Sequence, residues 1–218
     1  MEEDFFEKLR EKVLPYFENK DGHGFDHVER VYRLALKISE GEDVDMDVVR
    51  AAVLLHDVAR SRETRGNSVN YGGDVCHAKF GAEMAGKILK DMGFPLDKID
   101  SAVYAVRVHR SSDKIKAETR EAEILQDADR LDALGAIIIV RMIEASSKWE
   151  GRVYDPSIPI REEYDGSKSS VINHIYEKIL KMTPESFHTS KAREIARGRY
   201  DFVKEFAERY VGEVEGRM

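Results

Sequence analysis

Ala51-Ala52-Val53-Leu54-Leu55-His56-Asp57 is a run of five apolar residues closed by a histidine and an aspartate. The apolar part reads as a buried helix, and the two polar side chains at its end are costly to desolvate unless something binds them. A divalent cation is the most economical partner. It takes neutral imidazole nitrogens and carboxylate oxygens and draws its remaining ligands from distant parts of the chain. Two such parts stand out: His27 upstream, and Asp127-Ala128-Asp129-Arg130-Leu131-Asp132 downstream.

Around this run the pattern is helical nearly throughout. Phe5, Phe6, Leu9, Val13 and Leu14 form an amphipathic stripe, and Val28, Val31, Leu34, Ala35 and Ile38 form a second, stopped by Gly41. Asp45 or Asp47 is placed to cap the helix that leads to His56. Helices are expected over Ala78–Met92 and Leu96–His109, with a turn at Gly93-Phe94-Pro95. Ile124–Ser147 reads as one long helix, or two joined near Gly135. Two further helices are expected over Ser169–Lys181 and Pro184–Tyr210. Gly and Ser among charges mark loops at 61–74 and at Trp149–Lys168. Strand patterns and internal repeats are lacking, so the expectation is an all-α chain forming one domain over residues 1–218.

The chain's 218 residues suffice for a sizeable core. The longest uncharged apolar run, Ala133–Val140, falls well short of the ~20 residues needed to cross a bilayer. The acidic Met1-Glu2-Glu3-Asp4 argues against a signal peptide, and the single cysteine, Cys76, fits a reducing compartment. A cytoplasmic protein is expected. The net charge of −7 argues against duplex nucleic acid as a partner. It does not exclude a small phosphorylated substrate, because a cation and a few arginines can make a positive pocket in an acidic protein.

Five of the seven histidines precede the acidic cluster: His23, His27, His56, His77 and His109. Helix ends facing a common cleft would bring His27, His56, Asp57 and Asp129 together as four ligands, leaving coordination positions for water and substrate. Asp129 and Asp132 share a helix face, whereas Asp127 is turned away from Asp129. Asp132 is then a candidate to orient a ligand or a helix end, and Asp127 to meet solvent or substrate. Arg60, Arg110 and Arg130 lie close to the motifs and can grip phosphate oxygens through paired planar donors; Arg62 and Arg65 follow in the loop. His23 reads as a loop residue at the entrance.

These residues resemble the HD superfamily of metal-dependent phosphohydrolases, whose signature H…HD…D falls on His27, His56, Asp57 and Asp129. The segments Gly-Phe-Asp-His-Val-Glu-Arg-Val (24–31), Ala-Ala-Val-Leu-Leu-His-Asp-Val-Ala (51–59) and Ile-Leu-Gln-Asp-Ala-Asp-Arg-Leu-Asp-Ala-Leu-Gly-Ala (124–136) look like one bacterial and archaeal branch of small stand-alone HD hydrolases. Some members of that branch are nucleotide pyrophosphohydrolases. The resemblance runs from about residue 20 to 200. It implies a helical bundle with the metal site between helices, a signature core over about 20–140, and C-terminal helices over about 169–212 packed on it. Of the downstream acids it favours Asp129, which precedes Arg130, as the ligand.

The order H…HD…H…H…D is also that of HD proteins with two metals. His77 and His109 are therefore second-metal ligands, phosphate contacts or helix-end residues, with Asp57 as the bridging carboxylate in the first case. His77, His109 and Glu63 are candidate proton donors to a leaving group. The resemblance implies attack of a metal-activated water on phosphorus. The favoured reaction converts a nucleoside triphosphate to a monophosphate and pyrophosphate, with catalytic Asp57, His77 and His109. Substrate contacts fall to Arg60, Arg110, Asp127, Arg130 and Asp132. One divalent ion is expected and two are allowed, from Mn, Fe, Co, Ni, Zn or Mg. The alternatives are phosphomonoesterase or phosphodiesterase activity, a di-iron oxygenase, and a nucleotide-binding regulatory module without turnover. Tyr154, Lys168, Ser169, Ser170, Asn173 and His174 form a later polar segment that resembles the same branch and could close over the site. A homodimer is compatible with the long apolar helices, but no interface is identified.

Overall fold

The computed structural model describes residues 1–17, 24–62, 77–110, 115–147, 152–162, 164 and 170–218. His23, Glu63, Arg65, Cys76, Lys168 and Ser169, with most of the first expected loop and part of the second, lie outside these residues, as does the Arg62 side chain. Among the described residues the chain is all-α, with α1 Glu3–Val13, α2 Phe25–Ile38, α3 Met46–Leu55, α4 His77–Asp91, α5 Leu96–Val108, α6 Arg120–Asp132, α7 Ala136–Ser147, α8 Val171–Glu177 and α9 Ser190–Val214. The only strand-like feature described is a single bridge between Arg152 and Ser170. No described helix is long and apolar enough to cross a membrane.

The chain forms two compact units, Met1–Arg130 and Leu131–Met218. In the first, α3 is the central element, in contact with α1, α2, α4 and α5. Val48, Val49 and the whole of Ala51–Leu55 are buried, which is how a helix surrounded on all sides reads. Asp45 caps it, its side chain accepting from the Asp47 N–H at 2.9 Å and the Val48 N–H at 3.4 Å. The α4–α5 corner closes with Phe94 N–H donating to the Leu89 carbonyl at 2.9 Å and Gly93 N–H to that of Lys90 at 3.1 Å. Gly93 has φ +74°, as this double-bonded helix end requires.

In the second unit α7, α8 and α9 pack on one another. The segment 124–147 is two helices, broken at Gly135 with φ +82°. The C-terminal helices start later and break more often than the apolar pattern predicts. After α8 come short 3₁₀ turns at Ile179–Lys181 and Pro184–Ser186, and α9 begins only at Ser190. Its start is set by Thr189, whose Oγ1 accepts from the Ala192 N–H at 3.1 Å.

Candidate metal centre

Four helices of the first unit deliver the signature side chains from their ends. His27 is in the first turn of α2, His56 follows the last residue of α3 with Asp57 next to it, His77 opens α4, and His109 follows α5. Asp129 comes from α6. The four imidazoles form a chain of neighbouring rings, with centroids 5.3 Å apart for His27–His56, 5.2 Å for His56–His109 and 5.4 Å for His77–His109. All four histidines and Asp57 are buried, and Asp129 keeps 29% of its side chain exposed.

Ring orientation is fixed from behind at two positions. His56 Nδ1 donates to the Val53 carbonyl at 2.7 Å, and His109 Nδ1 donates to the Val106 carbonyl at 2.6 Å. A carbonyl only accepts, so Nδ1 carries the proton and Nε2 points inward. His56 Nε2 lies 3.3 Å from His27 Nε2, which in turn is 3.3 Å from Asp129 Oδ1. Asp57 Oδ1 lies 3.4 Å from His77 Nε2 and 3.6 Å from His109 Nε2. Its other oxygen, Oδ2, is 3.9 Å from both His27 Nε2 and His56 Nε2.

The donors thus fall into two groups, His27/His56/Asp129 and Asp57/His77/His109, with ligating atoms in each group within 4.8 Å of one another. Atoms bound at about 2.0–2.2 Å to one ion are roughly 3.0–3.6 Å apart, so both groups fit a divalent cation. Asp57 was expected with His27 and His56, and as the bridging carboxylate in the two-metal alternative; its carboxylate spans the two groups, one oxygen toward each.

The site also perturbs its own titration. Burial pushes the His56 pKa down to about 4, only partly opposed by the Asp57 charge, so the imidazole is neutral and able to ligate. Burial also acts against His109, but its hydrogen bond to Asp57 and the Asp57 and Asp129 charges outweigh it and raise the pKa. Burial disfavours the Asp129 carboxylate, yet the His27 hydrogen bond and the charges of His27 and His56 hold its pKa below the ordinary range.

Of the other candidates, Arg60 reaches the site. Its Nη1 is 3.1 Å and 3.3 Å from the two ring nitrogens of His77. Arg110 and Arg130 are partly buried, and burial lowers the Arg130 pKa against the opposing charges of Asp127 and Asp129. Asp127 is fully buried, which removes the solvent contact considered for it, because the face of α6 turned away from Asp129 also packs inward. Asp132, in the second unit, is buried and paired with Arg141 at 3.0 Å.

The later polar segment belongs to the second unit. There Tyr154 OH donates to Glu215 at 3.3 Å, and Asn173 Nδ2 donates to the Ile158 and Pro159 carbonyls at 3.2 and 3.0 Å. The orienting carbonyls of Val53 and Val106 escaped sequence reasoning. Their only signal is a position three residues before a helix-end histidine.

Residues 24–134 match the HD domain family model. The chain belongs to the HD domain family. An HD-superfamily hydrolase from Bacillus thuringiensis has the same fold, with TM-score 0.75 and 27% identity over 97% of each chain. A predicted HD superfamily hydrolase from an uncultured Thermotogales bacterium is 29% identical over 95% of this chain and 91% of its own, with TM-score 0.66. YpgQ of Bacillus subtilis, an uncharacterized protein, is 28% identical over 206 residues, 91% of this chain and 88% of YpgQ. Its structure in complex with ADP superposes with TM-score 0.69 at 23% identity, over 95% of this chain and 96% of that one. The chain is thus an enzyme of the HD-superfamily hydrolase class, with donor clusters able to hold divalent metal.

Proposed function

We propose that this HD-family enzyme is a phosphohydrolase that holds two divalent cations and acts on a nucleotide, converting a nucleoside triphosphate to a monophosphate and pyrophosphate. The observation that carries the reading is the Asp57 carboxylate, which offers Oδ1 to the His77/His109 pair and Oδ2 to the His27/His56 pair. Two adjoining donor groups sharing one carboxylate suit a reaction in which an attacking and a leaving oxygen must both be stabilised. The ADP bound by the relative YpgQ supports a nucleotide as substrate.

Bound divalent cations supply Lewis acidity, which makes water more acidic and neutralises charge on phosphoryl oxygens. The protein's own groups do the positioning. His56 and His109, fixed through Nδ1, would hold a cation through Nε2 once that nitrogen carries no proton, and Arg60 brings a positive charge to one flank of the centre. In the reaction a water oxygen forms a bond to the α-phosphorus and its proton passes to solvent, the bond from that phosphorus to the α–β bridging oxygen breaks, and pyrophosphate leaves. His77 and His109 then serve as ligands, and the leaving oxyanion needs no proton from them. Asp127, Arg110 and Arg130 stay candidate substrate contacts. Asp132 lies in the second unit, paired with Arg141, and the single-domain reading of residues 1–218 is part of the proposal.

The test is phosphate and pyrophosphate release from a nucleotide panel with Mn, Mg, Co and Ni, run on wild type and Asp57→Ala. Pyrophosphate release by wild type alone supports the proposal; metal uptake without turnover of any nucleotide overturns it. The four-imidazole donor set also favours a second reading, a di-iron oxygenase. Two tightly held irons and oxygen consumption would mark it.

A further inference from the structure

We infer that Gln126 is a positioning residue for His109, and through it for the second donor group; the inference rests on the two-cation reading above. Gln126 is buried, and its Nε2 donates to the carbonyl of Val108 at 2.6 Å and to that of Ile115 at 3.3 Å. Val108 is the last residue of α5, and its carbonyl is one of those that a helix end leaves without an intrahelical partner. A buried carbonyl of this kind must find a donor. The two hydrogens of one side-chain amide match the two carbonyls, which lie on either side of the segment that begins with His109 and Arg110.

His109 is thereby held from two directions. Its ring is fixed by the Nδ1 bond to Val106, and its backbone is held by the adjacent Val108 carbonyl on Gln126. Gln126 lies three residues before Asp129, so one helix, α6, supplies a ligand to the first group and a clamp to the second. An amide of this length supplies both donors. Glu is isosteric but sets an oxygen against two carbonyl oxygens, and Met keeps the volume with no donor at all. A role limited to filling space would tolerate both.

The experiment compares wild type with Gln126→Met and Gln126→Glu, with Gln126→Asn as a milder variant should either fail to fold. The histidine ring signals of cation-free, histidine-labelled protein are followed by NMR, and Mn²⁺ binding by calorimetry. In the variants the His109 signal should shift or broaden, more for Glu than for Met, while His27 and His56 stay in place. The dissociation constant of one of two Mn²⁺ ions should rise by about tenfold or more, as for groups that orient a ligand, with the other unchanged. An undisturbed His109 signal in Gln126→Met and Gln126→Glu overturns the inference. If wild type takes up a single ion, the two-cation reading fails, and the cation-free His109 signal still decides the role of Gln126.

Discussion

Arg60 points its Nη1 at the His77 ring, within 3.3 Å of both ring nitrogens. His77 Nε2 also lies 3.4 Å from Asp57 Oδ1, so Arg60 places a planar cation at the rim of the centre. Arg60→Ala should raise the KM for a nucleotide by about 10- to 100-fold, the equivalent of one hydrogen bond to a charged group. Arg60→Lys should fall between, keeping charge without the planar pair of donors. Steady-state kinetics check both, and an unchanged KM would restrict Arg60 to holding His77.

The division of donors into two groups makes metal content a stepwise quantity. His27→Ala and His109→Ala should each take up one ion fewer than wild type, and Asp57→Ala should bind neither ion tightly. Turnover should fall beyond the roughly 10–100-fold typical of residues that stand behind ligands. Metal analysis after stripping with chelator and reloading with Mn²⁺ gives the count. Equal losses in all three variants would argue for a single ion.

The helices and the donors were legible because each has a local signature. The α3 run Ala51–Leu55 is apolar on every side, Asp45 is a capping residue at the right offset, and the His and Asp types are those that bind cations. The division of those donors was not legible, since it depends on which Asp57 oxygen meets which ring, a matter of packing between five helices. The start of α9 was misplaced because Pro184 mimics a first-turn proline. It opens a single 3₁₀ turn instead, Phe187 is buried after it, and the Thr189 hydroxyl makes the true cap. Gln126 lies in the 124–136 segment that carries Asp129, but its partners at Val108 and Ile115 are carbonyls, which side-chain identity does not reveal.

Acid should destabilise the second unit through two groups on α8. Burial pushes the His174 pKa down to about 4, helped by the charge of Lys178. The unfolded chain therefore binds that proton first, and stability is lost as pH falls from about 6.5 toward 4. Glu177 is buried and takes bonds from Arg161 at 3.0 Å to Oε1 and 2.6 Å to Oε2. Burial raises its pKa, the Arg161 bonds more than offset this, and the net shift is downward. Its contribution is present above the ordinary carboxylate pKa and is lost as pH falls through the lowered one. Urea melts across this range should show both losses, and His174→Asn should remove the one between pH 6.5 and 4. Glu177→Ala at neutral pH should cost on the order of 3 kcal/mol, the low end for a broken buried pair because Arg161 keeps 27% of its side chain exposed.

Gly41 and Gly135 allow backbone strain to be separated from crowding. Their φ values are nearly equal, +81° and +82°, so alanine at either meets the same left-handed penalty of about 1–2 kcal/mol. A Cβ at Gly41 has nothing within 4 Å, whereas one at Gly135 would lie 3.1 Å from Arg199 Cγ and 3.3 Å from its Cβ. Arg199 cannot easily withdraw, since its guanidinium donates to the Leu131 carbonyl at the end of α6. Gly135→Ala should therefore lower stability by about 1 kcal/mol or more beyond Gly41→Ala, the lower range for overpacking. Chemical denaturation of the two variants measures the difference. Equal losses would mean that Arg199 yields freely, and that only the left-handed backbone of Gly135 sets the break between α6 and α7.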